Sequence, residues 1–253
     1  PGAGNGNVNV HLFFIEGSSC NQADLYVCLT KGASVSFKAS DYDPDRTGYL
    51  VAVAVDGMGN PVSWNALIGN AFVNAGTTVG NYGAEAFASQ LPAGALTAAA
   101  VNGLATLPLD GAVYDRGADQ FAVEIQSPND ATGQTIVQTA VTGNISTGAM
   151  NSVAQNGTGL VWRGDEKLVS FVKFIGGGCQ SLNTITASNP RIPTGLGVFL
   201  PKGSNGTVIY NTTNPSVGLL ITPTGNAWSG IRTLHKISVM DKTLTIPIFT
   251  PSC

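Results

Sequence analysis

The sequence predicts an all-β fold, an antiparallel β-sandwich or barrel-like arrangement, at most with two β subdomains. Three observations carry this. Short apolar runs alternate with polar residues at the strand period, turns rich in Gly, Asn and Pro separate them, and a single segment has helical composition. Strands spaced in this way build sandwiches and barrels rather than βαβ sheets.

Residues 7–15 (NVNVHLFFI) open the series. Val8, Val10, Leu12 and Phe14 share one face, and Asn9, His11, Phe13 and Ile15 share the other. The second face turns apolar partway, so the far end is expected to be buried on both sides. Residues 24–30 (DLYVCLT) and 33–39 (ASVSFKA) read as two further strands around Lys31-Gly32, and 49–56 (YLVAVAVD) is the clearest strand, closed by the turn Gly57-Met58-Gly59-Asn60-Pro61. Residues 62–74 contain Trp64, Leu67, Ile68 and Phe72 without a clean period. Residues 84–100 are Ala-rich and form the helical candidate, limited to short turns by Pro92-Ala93-Gly94. Later strands are expected at 121–126, 135–141, 160–163, 168–174, 182–187, 197–200, 208–210, 218–222, 233–240 and 244–249. Residues 1–253 read as a single β-rich domain. Gly176-Gly177-Gly178 is either a loop or a subdomain joint near 175–179.

The chain has 253 residues, of which 43% are hydrophobic and only 11% charged, against about 25% charged in ordinary soluble domains. With so few charges to desolvate, such a surface tolerates close contact with copies of itself. Net charge is −3. No basic run exists to neutralise phosphates, which argues against nucleic acid as a partner. The apolar stretches are strand-length, which excludes a membrane-spanning helix. The chain begins at Pro1 rather than Met and reads as processed or as cut from a longer chain.

Four cysteines occur, Cys20, Cys28, Cys179 and Cys253, and none forms a C-x-x-C pair. With two histidines in the chain, zinc ligation has poor material, so two disulfides in an oxidising compartment are expected. Four cysteines allow three pairings. The favoured one joins Cys20 to Cys28 across a short excursion and Cys179 to Cys253, pinning the last residue. Closing the longer loop contributes about 4 kcal/mol in the chain-entropy model.

No catalytic constellation is visible. His11 and His235 are the only imidazoles, no G-x-S-x-G elbow exists, and no Ser or Asp is placed beside either ring. Asp41-Tyr42-Asp43-Pro44-Asp45 presents three carboxylates on alternate positions, the spacing of a calcium loop, yet lacks the Gly and Glu that complete one. Pro44 with Asp formers fits a plain turn equally. Asp110, Asp115, Arg116, Asp119 and Glu124 form a second acidic group, a solvated loop unless two carboxylates face each other across a cleft. Arg163-Gly164-Asp165 matches an adhesion-type tripeptide and reads as a charged turn with Glu166 and Lys167. Trp64, Trp162 and Trp228 offer either core packing or a sugar-stacking platform. Sequons stand at Asn144, Asn156, Asn205 and Asn211. In a chain this rich in Asn, Ser and Thr several such triplets arise by chance.

The strings VHLFFIEGSSC, ADLYVCLT, ASDYDPDRTGYLVAVAVD and NALIGNAFV…NYGAEAFA, within about the first third of the chain, resemble an uncharacterised family of secreted bacterial β proteins, most specifically at DPxxTGY(L/I)VAVAVD. The resemblance implies secretion and a bacterial source and supplies no activity. It also implies a strand upstream of VHLFF, where this chain has a short Gly/Asn-rich leader. An edge left open there would accept a neighbour's strand, with 1–15 or 244–253 as donor segments.

The expectation is therefore a non-enzymatic structural subunit of an extracellular bacterial filament, sheath or surface layer, whose main partner is itself. The alternative is a monomeric secreted adhesion or glycan-binding module. A carbohydrate-active enzyme and a viral coat protein fit less well. No cofactor is called for beyond calcium at Asp41, Asp43 and Asp45.

Overall fold

The computed structural model describes residues 6–75 and 78–252. It is built almost entirely of antiparallel β-strands. β1 (Val8–Glu16), β2 (Gln22–Leu29) and β3 (Gly48–Val55) form a first sheet with β1 in the middle. β4 (Asn70–Ala75) and β5 (Thr78–Gly83) form a separate hairpin. The chain continues through β6 (Leu104–Leu109), β7 (Gly117–Gln126), β8 (Thr135–Ala140), the short β9 (Gly143–Asn144) and β10 (Ala149–Met150), β11 (Gln155–Arg163), β12 (Leu168–Val172) and β13 (Gln180–Thr184). A helical turn α1 (Leu196–Phe199) precedes β14 (Asn205–Thr212), β15 (Ser216–Thr222), β16 (Gly230–Thr233), β17 (His235–Met240) and β18 (Lys242–Pro247).

Two larger sheets make the sandwich. One has the order β12-β11-β14-β7-β17 and the other β13-β8-β15-β16. Their inward residues alternate along each strand, as the pleat requires. Phe121, Val123, Val161, Val208 and Tyr210 from the first meet Ile136, Ala140 and Leu220 from the second in one buried cluster. The Tyr210 hydroxyl donates to Gln138 Oε1 at 2.7 Å and Gln138 Nε2 donates to Ser216 Oγ at 2.7 Å, so these three side chains satisfy one another in the core. The remaining sheet, β10-β9-β18-β6, adds Ala105, Leu107, Leu244 and Ile246 to the same cluster.

β1 is buried along all but its last residue. Phe13 and Ile15 enter the main core, while Val8, Val10, Leu12 and Phe14 meet Ala54 and Val62 in a second cluster. Burial on both faces therefore covers the whole strand, more than the expected far end.

Four expectations are corrected. Residues 33–39 form no strand. Phe37 instead packs irregularly over Phe14 and Tyr42 and lids the second cluster. Residues 84–100 hold no helix. Their backbone groups bond outward, Gln90 N–H to Val113 O and Thr97 N–H to Pro61 O. Residues 197–200 belong to the helical turn, because buried Leu196 and Leu200 are four apart and close an N–H to C=O bond of 2.7 Å. The fourth concerns the disulfides. The bridge runs from Cys20 to Cys179, across 159 residues. This overturns both favoured pairings. Cys20 sits in the β1–β2 turn and Cys179 just before β13, so the bond staples the first sheet to the sandwich rather than closing a local excursion. Cys28 is disulfide-bonded as well, and Cys253 lies outside the described residues.

Neither expected donor segment is spare. β1 has a partner on each side, and β18 lies between β9 and β6. Residues 1–5 are outside the described part of the chain.

Candidate assembly surface

Between Asp56 and Asp110 the one charged residue is Glu85. The β4–β5 hairpin lies inside this stretch. Phe72 pairs with Asn81 and Asn74 with Val79, and directly opposed residues share a face. Asn70, Phe72, Asn74, Val79, Asn81 and Gly83 therefore point the same way, and all are exposed. Phe72 is 83% exposed, Val79 59%, and Ile68 just upstream 90%. The opposite face (Ala71, Val73, Gly80, Tyr82) is half-buried. Burial pushes the Tyr82 phenol pKa up. Gly80 seats the hairpin on β16, since a Cβ there would stand 3.0 Å from Ile231 Cγ1. The arm is thus anchored on one face and open and uncharged on the other, where Phe72 and Val79 stand among asparagines. Its apolar residues lack a clean period in the sequence. The signal that could have found it was the missing charge.

The opposite edge of the sandwich is β12, where the five-stranded sheet ends. Register places Leu168, Trp162, Thr207 and Glu124 in one outward row and Ser170, Leu160, Ile209 and Ala122 in the next. Val172, opposite Thr158, extends the patch. Leu168, Val172 and Trp162 are exposed. Glu124 is the single charge in these rows, and its carboxylate accepts a hydrogen bond from Asn205 Nδ2. Lys167 and Lys173 bracket the strand.

His11 is fully buried in β1. It stacks on Tyr26 at 4.2 Å and lies 3.9 Å from the Phe13 ring. Nε2 is 2.7 Å from Asp24 Oδ2, while Nδ1 is buried without a partner. Asp24 is two residues from the direct partner of His11 on β2, a cross-strand diagonal invisible in the sequence. Burial lowers the His11 pKa, overriding the hydrogen bond and charge of Asp24. A carboxylate, an imidazole and no hydroxyl on the second nitrogen do not make a nucleophile-activating triad. His235 is exposed on β17.

The remaining sequence candidates have local partners. Asp41 ends a 3-10 turn (Ala39–Asp41), Asp43 N–H bonds Ala39 O, and Asp45 takes a left-handed φ of 59°. Among the described residues no three His, Cys, Asp or Glu side chains converge on one point. Asp110 accepts the N–H groups of Ala112 and Val113, each at 2.8 Å, and these bonds lower its pKa. Asp115 accepts Ala88 N–H, Arg116 pairs with Asp241, and Asp119 accepts the Ser238 hydroxyl. Asp115 and Arg116 also line an open cleft of about 360 Å³ with Glu85, Phe87, Lys236 and Val239. Its Lys236 is already paired with Glu85. Arg163 grips Asp165 through two bonds of 2.6 Å and holds its carboxyl well below the usual range, so the tripeptide neutralises itself within its turn.

Trp64 packs on the second core, whereas Trp162 and Trp228 are exposed on different elements and form no row. Of the sequons, Asn156 is exposed, Asn144 is half-buried, Asn205 holds Glu124 and Asn211 accepts from Gln120.

No helix among the described residues is long and apolar enough to cross a membrane. No family model, curated protein or solved structure matches the chain.

Proposed function

We propose that this chain is a structural subunit of an extracellular bacterial assembly, a filament, sheath or surface layer, and that it binds copies of itself. The observation that carries the reading is the β4–β5 arm, which holds Ile68, Phe72 and Val79 in solvent inside a stretch almost free of charge. Exposed apolar groups concentrated on one projecting element mark interaction sites, whereas scattered ones need no explanation. The Cys20–Cys179 staple suits an oxidising compartment and resists mechanical and chemical insult. The low charge of the whole chain removes the repulsion that keeps ordinary monomers apart.

The purified chain is expected to sediment as concentration-dependent oligomers and to give regular assemblies in negative stain. A uniformly monomeric species at high concentration would sink the reading.

A further inference from the structure

The Cys20–Cys179 bridge accounts for two of the four cysteines. Cys28 is disulfide-bonded as well. By elimination, the cysteine left in the chain to bond it is Cys253.

The segment before Cys253 is held close to Cys28. Residues 248–252 follow β18 and meet β2, the edge strand of the first sheet. The Tyr26 hydroxyl on β2 donates to the Phe249 carbonyl at 2.6 Å, and the Phe249 ring stands edge-on to His11 at 6.1 Å. Ile248 N–H donates to the Gly103 carbonyl at 2.8 Å. A Cβ on Gly59 would overlap the Phe249 carbonyl oxygen, so the bare glycine makes room for the segment. Cys28 lies two residues beyond Tyr26 on the same strand. The two side chains therefore share a face, with their Cα atoms about 7 Å apart. Four residues beyond Phe249 span at most about 14 Å, and a disulfide sets its Cα atoms about 6 Å apart. Elimination and reach agree.

The two bridges differ in access. Cys179 is fully buried and Cys20 half-buried, whereas Cys28 is exposed. Thiol–disulfide exchange starts when a thiolate reaches a bridge sulfur, so an exposed bridge opens before a covered one.

We propose that the second disulfide joins Cys28 to Cys253 and acts as a clasp that a dithiol reductant opens while the Cys20–Cys179 staple stays closed. One thiolate of the dithiol attacks Cys28 Sγ, the bridge breaks, and Cys253 Sγ leaves as a thiolate. The second thiolate of the dithiol then attacks the mixed disulfide and releases Cys28. The clasp has gained two electrons, and the dithiol has lost them and become a disulfide. Opening leaves residues 248–252 tied to β2 by non-covalent contacts alone, so the redox state sets how firmly Phe249 covers His11. The clasp stands whether or not copies of the chain associate.

A peptide map of the unreduced chain tests the pairing. Cleavage at Asp24 separates Cys20 from Cys28, and cleavage at Asp241 separates Cys179 from Cys253. Mass spectrometry is expected to find the Cys28 peptide joined to the Cys253 peptide. Cys28 joined to Cys28 of a second copy would overturn the clasp while supporting self-association, and Cys253 alkylated without reduction would also overturn it. Stepwise dithiothreitol followed by iodoacetamide tests the order of opening. Label is expected on Cys28 and Cys253 at concentrations that leave Cys20 and Cys179 joined. Label on all four together, or on Cys20 and Cys179 first, would overturn the selective opening. In the clasp-open chain the Ile248 amide is expected to exchange faster than in the intact one. Unchanged exchange would mean that the non-covalent contacts hold the segment without the clasp and would overturn its redox release.

Discussion

β1 and the β4–β5 hairpin are made of similar residues, small, apolar and amide-bearing, and end in opposite environments. β1 has a strand on each side and a core on each face, so eight of its nine residues are buried. The hairpin has two strands, one seat on β16, and nothing over Phe72. The difference lies in what the topology stacks against each strand rather than in hydrophobicity. Two strands alone are marginal in water. An arm that keeps apolar side chains exposed therefore has a low local stability, in contrast to a first sheet that is stapled and filled.

The largest expected effect tests the stapled half. Replacing Cys20 and Cys179 by Ser removes a cross-link spanning 159 residues. The chain-entropy model puts the loss at about 5 kcal/mol, read as a lower urea midpoint. The β4–β5 arm lies within the loop that the bridge closes, but it opens locally, without separating the first sheet from the sandwich. Amide exchange in the arm should be unchanged at urea concentrations where the variant stays folded. A loss under about 1 kcal/mol would mean that core packing alone holds the first sheet in place.

Much of this contrast was legible in the sequence. The period-two runs at β1, β3, β7 and β8 state strands directly, because a half-buried pleat imposes that alternation. β6 escaped notice because LATLPL contains Pro108. An edge strand tolerates a proline there, and β6 is the edge of its sheet. The Ala-rich 84–100 segment misled for the opposite reason. Its helix propensity is real, but its N–H groups are taken by Val113, Pro61 and the Asp115 carboxylate. The disulfide was misjudged because closeness in sequence says nothing about two cysteines that the fold brings together from distant strands. The His11–Asp24 contact required knowing the β1–β2 register.

The second effect is smaller and belongs to the buried face of β1. With Asp24 ionised, His11 Nε2–H donates to it and Nδ1 stays bare. Protonation would add a buried N–H with no acceptor. The groups facing the ring are Asp24 and Tyr26 on β2, Val53 opposite it on β3, and Phe249. The Tyr26 phenol, pushed up to about 12 by burial, stays neutral throughout. The folded pKa of His11 lies below its ordinary 6.5. The unfolded chain therefore binds the extra proton first, and stability, complete above that value, falls as pH drops through it. The urea midpoint should decrease between pH 7.5 and 5.5, and His11→Gln should flatten that slope. Glu16, Asp110 and Asp165, whose carboxyls are lowered, titrate below this window. A wild-type midpoint constant across the window would show that Asp24 offsets the burial of the ring.

The smallest expected effect is also the sharpest for the comparison. Phe72→Ser removes a large aromatic ring, which from a packed core costs about 3–5 kcal/mol on truncation to alanine. Here the ring stands in solvent. The monomer's melting behaviour should shift by no more than a surface substitution does, within about 0.5 kcal/mol, measured below the concentration at which copies associate. The β4–β5 amides should exchange through local opening in both proteins, while those of β1 wait for global unfolding. A cost of about 2 kcal/mol or more would mean that Phe72 is covered within its own chain. The arm would then be part of the core, and the apolar surface assigned to a second copy would already be occupied.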